Sequence, residues 1–219
     1  MIIDLDLKGE LVIVIGGGDE GMLKIRSLIT QDCKILLFSE ESNKEIQKYV
    51  KQKKITFKKM KITSLGFLRK YKPIMIMATT DDKELNRKIY QKAKSMNCYG
   101  YAVDDPMISD FSHPSLIDIE NIVQIAISTK GKSPIMSKKI RIEAEEIFKK
   151  VIKKEYLNYI RVHEFARNLA KTKIQTPGER KEFMYSLMDD KKLNQSLKTG
   201  KLADAKKRIK MLFDLWIQN

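Results

Sequence analysis

Leu11-Val-Ile-Val-Ile15 is an unbroken apolar run in which four of five residues are β-branched. A run of that length, closed by turn residues, reads as a strand buried on both faces. From Gly21 to Ile29 the apolar positions recur at helical spacing. The same alternation continues down the first half of the chain. Residues 34–38 predict a second strand and 42–51 a helix. Residues 55–57 suit a third strand and 64–71 a short helix or turn. Residues 74–77 read as a fourth strand, 84–96 as a helix with Leu85, Ile89 and Ala93 inward, and 99–103 as a fifth strand. Ahead of them all, residues 2–7 alternate apolar and polar, as a short strand or extended lead-in would.

Past Pro106 the period changes. Residues 115–119 and 122–127 read as two antiparallel strands around Glu120-Asn121, and the apolar face of that hairpin needs a cover, which a second copy of the chain could supply. After a hydroxyl-rich, basic loop, Ser133 suits the N-cap and Pro134 the first turn of a long helix to about residue 150. The remainder is helical. One helix covers 156–170. Thr176-Pro-Gly-Glu179 is a capping-box signature for a second, with Phe183, Leu187 and Met188 inward. A short helix around Leu193 and Leu197 stops at Gly200, and 202–216 closes the chain with Ile209, Leu212, Phe213 and Trp216 on one stripe. The fold class is therefore α/β: a Rossmann-type doubly wound parallel sheet. A small hairpin-and-helix region and an all-helical C-terminal domain follow it, with boundaries expected at 1–112, 113–150 and 151–219.

Between the first strand and its helix, Gly16, Gly18 and Gly21 fit G-x-G-x-x-G. The first glycine permits the tight turn, the second admits a pyrophosphate to the backbone, and the third lets helix and strand pack closely. The helix start adds unpaired N–H groups and a positive dipole end. The whole turn, Gly16, Gly17, Gly18, Asp19, Glu20 and Gly21, is thus a candidate dinucleotide site. Ser39 and Glu40 follow the second strand, and Glu40 stands at the distance where an acidic residue bonds the adenosine ribose. No arginine flanks it to take a 2′-phosphate, which favours NAD over NADP. Glu40 and Glu41 equally suit the N-terminal dipole of the next helix. Thr79, Thr80 and Asp81 close the fourth strand at the end where open α/β sheets bind ligands.

Composition narrows the function class. The net charge is +15, unevenly placed: residues 1–129 carry 20 Lys and Arg against 17 Asp and Glu, residues 130–219 carry 23 against 11. The basic half needs an anionic partner or simple solvation. Its aromatics fall on helix stripes rather than forming exposed stacking platforms, which argues against nucleic acid. No apolar run reaches bilayer length and no leader opens the chain, so no membrane partner and a cytoplasmic setting are expected. Cys33 and Cys98 are too few for a disulfide framework, and no His, Cys and carboxylate spacing suggests a protein-held metal.

Val12-Ile-Val-Ile-Gly-Gly-Gly18, Ala78-Thr-Thr-Asp-Asp-Lys-Glu-Leu-Asn86, Ala102-Val-Asp-Asp-Pro106 and Ile125-Ala-Ile-Ser-Thr-Lys-Gly-Lys-Ser-Pro134, in that order, resemble the precorrin-2 dehydrogenase family, the N-terminal module of siroheme synthases. Gly178-Glu-Arg-Lys-Glu-Phe183 and Leu193-Asn-Gln-Ser-Leu197 are similar to that module's helical tail. The resemblance implies NAD-dependent oxidation of precorrin-2 to sirohydrochlorin, with Fe2+ or Co2+ chelation as a further activity of some members. It implies a homodimer formed through the hairpin and long helix. It makes Asp104 the catalytic carboxylate, sets Thr79, Thr80, Asp81 and Asn86 near the nicotinamide or ribose, and makes His113, Ser128, Thr129 and Lys132 candidate substrate contacts. A turn role before Pro106 also suits Asp104. The chain departs from the family at Tyr101, where Asn is usual, and at Gly21, where alanine is common. A catalytically decayed sensor or carrier binding NAD or a tetrapyrrole is the alternative that Tyr101 favours.

Overall fold

The structure, a computed structural model, describes residues 2–218 and divides into two compact units, one ending at His113 and one starting at Pro114. In the first unit, β1 (Leu11–Ile15), β2 (Lys34–Ser39), β3 (Thr56–Lys59), β4 (Met75–Ala78) and β5 (Tyr99–Ala102) form one parallel sheet ordered β3-β2-β1-β4-β5. The continuous apolar runs follow from burial of both sheet faces. Val12, Val14, Leu37 and Met77 face one layer with Met22 and Ile25 of α1 (Asp19–Leu28) and Ile46 of α2 (Lys44–Lys51). Ile13, Ile15, Phe38 and Ile76 face the other with Ile89 and Ala93 of α3 (Lys83–Ser95).

Local departures from the pattern have local causes. Gly18 keeps an extended backbone and serves as N-cap, so α1 begins at Asp19, two residues earlier than its apolar spacing indicates. β3 runs on through Lys58 and Lys59, charged residues that an edge strand tolerates because one side meets solvent. Residues 2–7 form no strand, and 66–70 make a 3-10 turn. The Cys33 and Cys98 thiols donate to the Leu28 and Ala93 carbonyls, and burial raises the pKa of both.

The second unit opens with β6 (Ser115–Ile119) and β7 (Val123–Ile127), paired antiparallel. Three residues connect them, with Ile119 opposite Val123; Glu120 and Asn121 both take positive φ, and the Ile122 N–H closes the turn on the Ile119 carbonyl at 3.0 Å. Then follow α4 (Pro134–Val151), α5 (Lys154–Lys173), α6 (Pro177–Asp189), α7 (Lys191–Lys198) and α8 (Leu202–Trp216). The hairpin's inward Ile117 and Ile119 are covered by Ala144, Phe148, Ile152 and Leu157 of the same chain, so that face does not wait for a second copy. Phe183, Leu187, Leu193, Ile209 and Phe213 form the core of the helical tail, with Trp216 against Phe183 at 5.6 Å. Ser133 and Thr176 cap α4 and α6; the Thr176 hydroxyl accepts the Glu179 N–H and donates to the Glu179 carboxylate at 3.0 Å, a side-chain variant of the expected box. Asp190 caps α7 and receives the Arg208 guanidinium on both oxygens, which lowers its pKa.

Candidate functional site

The strand order reverses between β1 and β4, and the carboxyl ends of β1, β2 and β4 open there on a cleft of about 550 Å³. Such a reversal splits the connecting loops apart and leaves a crevice for a ligand. Gly16, Gly17 and Gly18 form its base, Ser39 and Glu40 one wall, Thr79, Thr80 and Asp81 the other. Each glycine answers a different demand. Gly16 has φ +109, and a Cβ there would collide with the Thr79 carbonyl. Gly21 is buried, and a Cβ there would strike the Gly16 carbonyl, so alanine is not accommodated as family likeness suggested. At Gly18 nothing of the protein lies within 4 Å of a Cβ. The fold does not crowd that position, and the backbone there is open to a molecule approaching from the cleft. The α1 N-terminus has no side-chain cap, and that too fits a diphosphate bound there.

The other cofactor candidates separate by contact. The Ser39 hydroxyl accepts the Gly17 N–H at 3.1 Å and so holds the turn. The buried Thr79 hydroxyl is engaged with the Ile15 and Gly16 carbonyls. Asp19 and Glu20 are exposed and do not line the cleft; only their backbone N–H groups remain candidates. Glu40 lies 3.8 Å from Lys61, a cation from beyond β3 that inspection of Glu40's sequence neighbours misses.

Asn86 overturns one expectation. It is buried, and its amide is fully used: Oδ1 accepts from the Thr80 N–H at 3.1 Å and hydroxyl at 2.7 Å, while Nδ2 donates to the Thr80 carbonyl at 2.9 Å and to Asp104 Oδ1 at 2.6 Å. An amide has two donors and two acceptor sites, so none is left for a nicotinamide. Asn86 is a positioning residue that ties the cleft wall to Asp104. Asp104 itself does not line the nucleotide cleft. It borders a hollow of about 370 Å³ with Lys83, Arg87 and Asp105, and its second oxygen takes no hydrogen bond among the described residues.

His113 ends the first unit edge-on to Tyr101 and Phe111, at 5.1 and 5.6 Å. Desolvation of the ring against its aromatic neighbours, with the Lys24 cation, pushes it down to about 4, although the residue as a whole is exposed. Tyr101, the departure from the family, stacks on Phe111 under the Lys24 ammonium. In the second unit, Thr129 bonds the Ser133 backbone in both directions, Ser128 accepts the Lys130 N–H, and Lys132 is exposed. Among the described residues no three His, Cys, Asp or Glu come together as metal ligands, and no helix is long and apolar enough to cross a membrane.

A glycine turn at the switch point of a five-stranded parallel sheet, with an acidic residue at the end of β2, defines a dinucleotide-binding domain. Residues 3–115 match the NAD_binding_7 family model, described as "Putative NAD(P)-binding", and the chain belongs to that family. It is 27% identical over 210 residues to Siroheme synthase 3 of Aeromonas hydrophila, covering 94% of this chain and 42% of the relative. To the siroheme synthase of Actinobacillus pleuropneumoniae it is 30% identical over 143 residues, 65% of this chain and 29% of the relative. The chain thus spans less than half the length of these curated relatives. The solved structure of SirC, precorrin-2 dehydrogenase, shares the fold at TM-score 0.67 and 20% identity, over 96% of this chain and 99% of that one.

Proposed function

We propose that this chain is an NAD-dependent precorrin-2 dehydrogenase that forms sirohydrochlorin. The observation that carries the reading is the Asn86 bridge, which ties the carboxylate of Asp104 to Thr80 in the wall of the nucleotide cleft. Similarity to siroheme synthases and to SirC supports the substrate. The reaction balances as precorrin-2 plus NAD+ giving sirohydrochlorin, NADH and a proton. NAD, when bound, supplies the hydride acceptor. The rest falls to the chain's own groups. The Gly16–Gly18 turn and the α1 N-terminus hold the diphosphate, and Glu40 takes the ribose hydroxyls, which favours NAD over NADP. Asp104 receives the proton on the oxygen that Asn86 leaves free. Lys83 and Arg87 beside it favour a substrate rimmed with carboxylates.

The same reading makes the protein a cytoplasmic homodimer. On α4, Ile135, Ile142, Ile147 and Val151 are 81%, 50%, 61% and 56% exposed, more apolar surface than a free helix normally shows. Fe2+ or Co2+ insertion into the product would use Asp104 as the proton acceptor. Anaerobic mixing with precorrin-2 and NAD, followed by NADH absorbance and the sirohydrochlorin spectrum, tests the assignment. Turnover is expected, and Asp104→Asn should lose about 100-fold or more of it while still binding NAD. Full activity in that variant would remove Asp104 from the chemistry. Tight NAD binding without turnover in the unaltered protein would favour the sensor or carrier.

A further inference from the structure

A groove between α5 and α6 in the second unit lies outside everything assigned above. It comprises two adjoining hollows of about 520 and 600 Å³, which share His163, Arg167, Lys171 and Met188. Either is the size of a small-molecule site. Ala170 and Met184 give it an apolar floor that Met188, set inward by its spacing but 52% exposed, extends toward solvent, and methionine adapts to a flat guest. The rim is cationic. Arg167 and Lys171 stand one turn apart on α5, and Arg180 and Lys181 lie near the start of α6. Arg180 donates to the Ile174 carbonyl, whereas Arg167, Lys171 and Lys181 have no ion-pair partner among the described residues. Glu164 is the one carboxylate lining the two hollows. Tyr159, on the same wall, keeps a buried hydroxyl with no hydrogen-bond partner. A buried donor of this kind costs stability unless something supplies an acceptor.

We propose that the α5–α6 groove is a second binding site, for an amphipathic polycarboxylate with a flat unsaturated body. The cations match carboxylates at the edge of such a molecule, and the methionine floor matches its face. The choice of body rests on the precorrin-2 reading, because compounds of that shape are what the proposed reaction consumes and releases. The groove holds such a molecule on residues distinct from Asp104, so binding there and oxidation can be separated by mutation.

Titration of the full chain with uroporphyrin III, an octacarboxylate macrocycle, tests this through quenching of porphyrin emission. Saturable binding is expected, weakened at least about tenfold in the Arg167→Glu, Lys181→Glu double variant. Met188→Glu, which places a charge in the floor, should weaken it similarly, with each variant's Tm checked for folding. Inositol hexakisphosphate, a polyanion without a flat body, should not displace the porphyrin. Unchanged affinity in both variants would overturn the proposal, as would full displacement by the hexakisphosphate. NADH formation from precorrin-2 should be unaltered by the groove variants. If the unaltered protein lacks that turnover but the variants still lose porphyrin, the groove stands and the dehydrogenase assignment falls. Turnover with an unchanged porphyrin affinity overturns the groove alone.

Discussion

Replacing Asn86 by Asp alters one group and tests the tie between the cleft wall and Asp104. The amide nitrogen 2.6 Å from Asp104 Oδ1 becomes a carboxylate oxygen, while the other side-chain oxygen still accepts from Thr80. Two unit charges at that separation repel by about 6 kcal/mol at an effective dielectric of ~20, and by about 2 kcal/mol in water. Asp104 is exposed but position 86 is buried, so a value between the two applies, about 3–5 kcal/mol. Loss of the donor to the Thr80 carbonyl adds roughly 1 kcal/mol. One proton shared between the two carboxyls relieves the repulsion. The folded pair therefore binds that proton more tightly than the unfolded chain does. A carboxyl pKa raised on folding means the deficit is full above the folded value and vanishes below the unfolded one. Urea denaturation at a series of pH values should show Asn86→Asp least stable, relative to the unaltered protein, near neutrality, and recovering as the solution is acidified. Asn86→Ala, which introduces no charge and only removes a donor from Asp104, should show a deficit that changes far less with pH. An Asn86→Asp deficit equally flat with pH would refute the contact with Asp104.

The remaining expectations follow from other contacts. Gly18→Val should cost only about 1 kcal/mol, because valine is a poor N-cap although no protein atom lies near a Cβ there, yet weaken NAD binding about tenfold or more by calorimetry; Gly16→Ala should destabilise the fold itself by more. Asp190→Ala removes the α7 cap and the Arg208 pair together and should cost about 2–4 kcal/mol by chemical denaturation. The pKa of Asp190 is lowered on folding, so its contribution is complete above the unfolded carboxyl pKa and fades as pH falls through the folded one; the difference between variant and parent should narrow on acidification. Ile142→Lys with Ile147→Lys should convert a dimer to monomer in sedimentation, whereas an unshifted species would place any self-association elsewhere.

The parallel sheet was legible because burial of both faces leaves continuous β-branched runs and the βα alternation permits few connections. The glycine turn was legible for its steric reason, and the caps at Ser133 and Thr176 because capping is local chemistry. What escaped depends on chain segments brought together from a distance. Lys61 reaches Glu40 only because β3 pairs beside β2, and no spacing in the sequence announces it. Asn86 could be placed near the strand ends, but its direction, inward to Thr80 and Asp104, is set by the first turn of α3. The sequence left the hairpin's cover open, with a second copy able to supply it, because the α4 and α5 residues that pack on Ile117 carry no mark of their target.

Both cysteines belong to the sheet-bearing unit, and the single tryptophan, Trp216, belongs to the helical one. The chain therefore carries its own pair of reporters. Pulsed alkylation of Cys98 records when the nucleotide-binding half opens, because that thiol is buried against the Ala93 carbonyl whereas Cys33 is only half-buried. Indole emission records loss of the Phe183 contact in the other half. One denaturant series can thus time the melting of each half without attaching a dye or cutting the polypeptide.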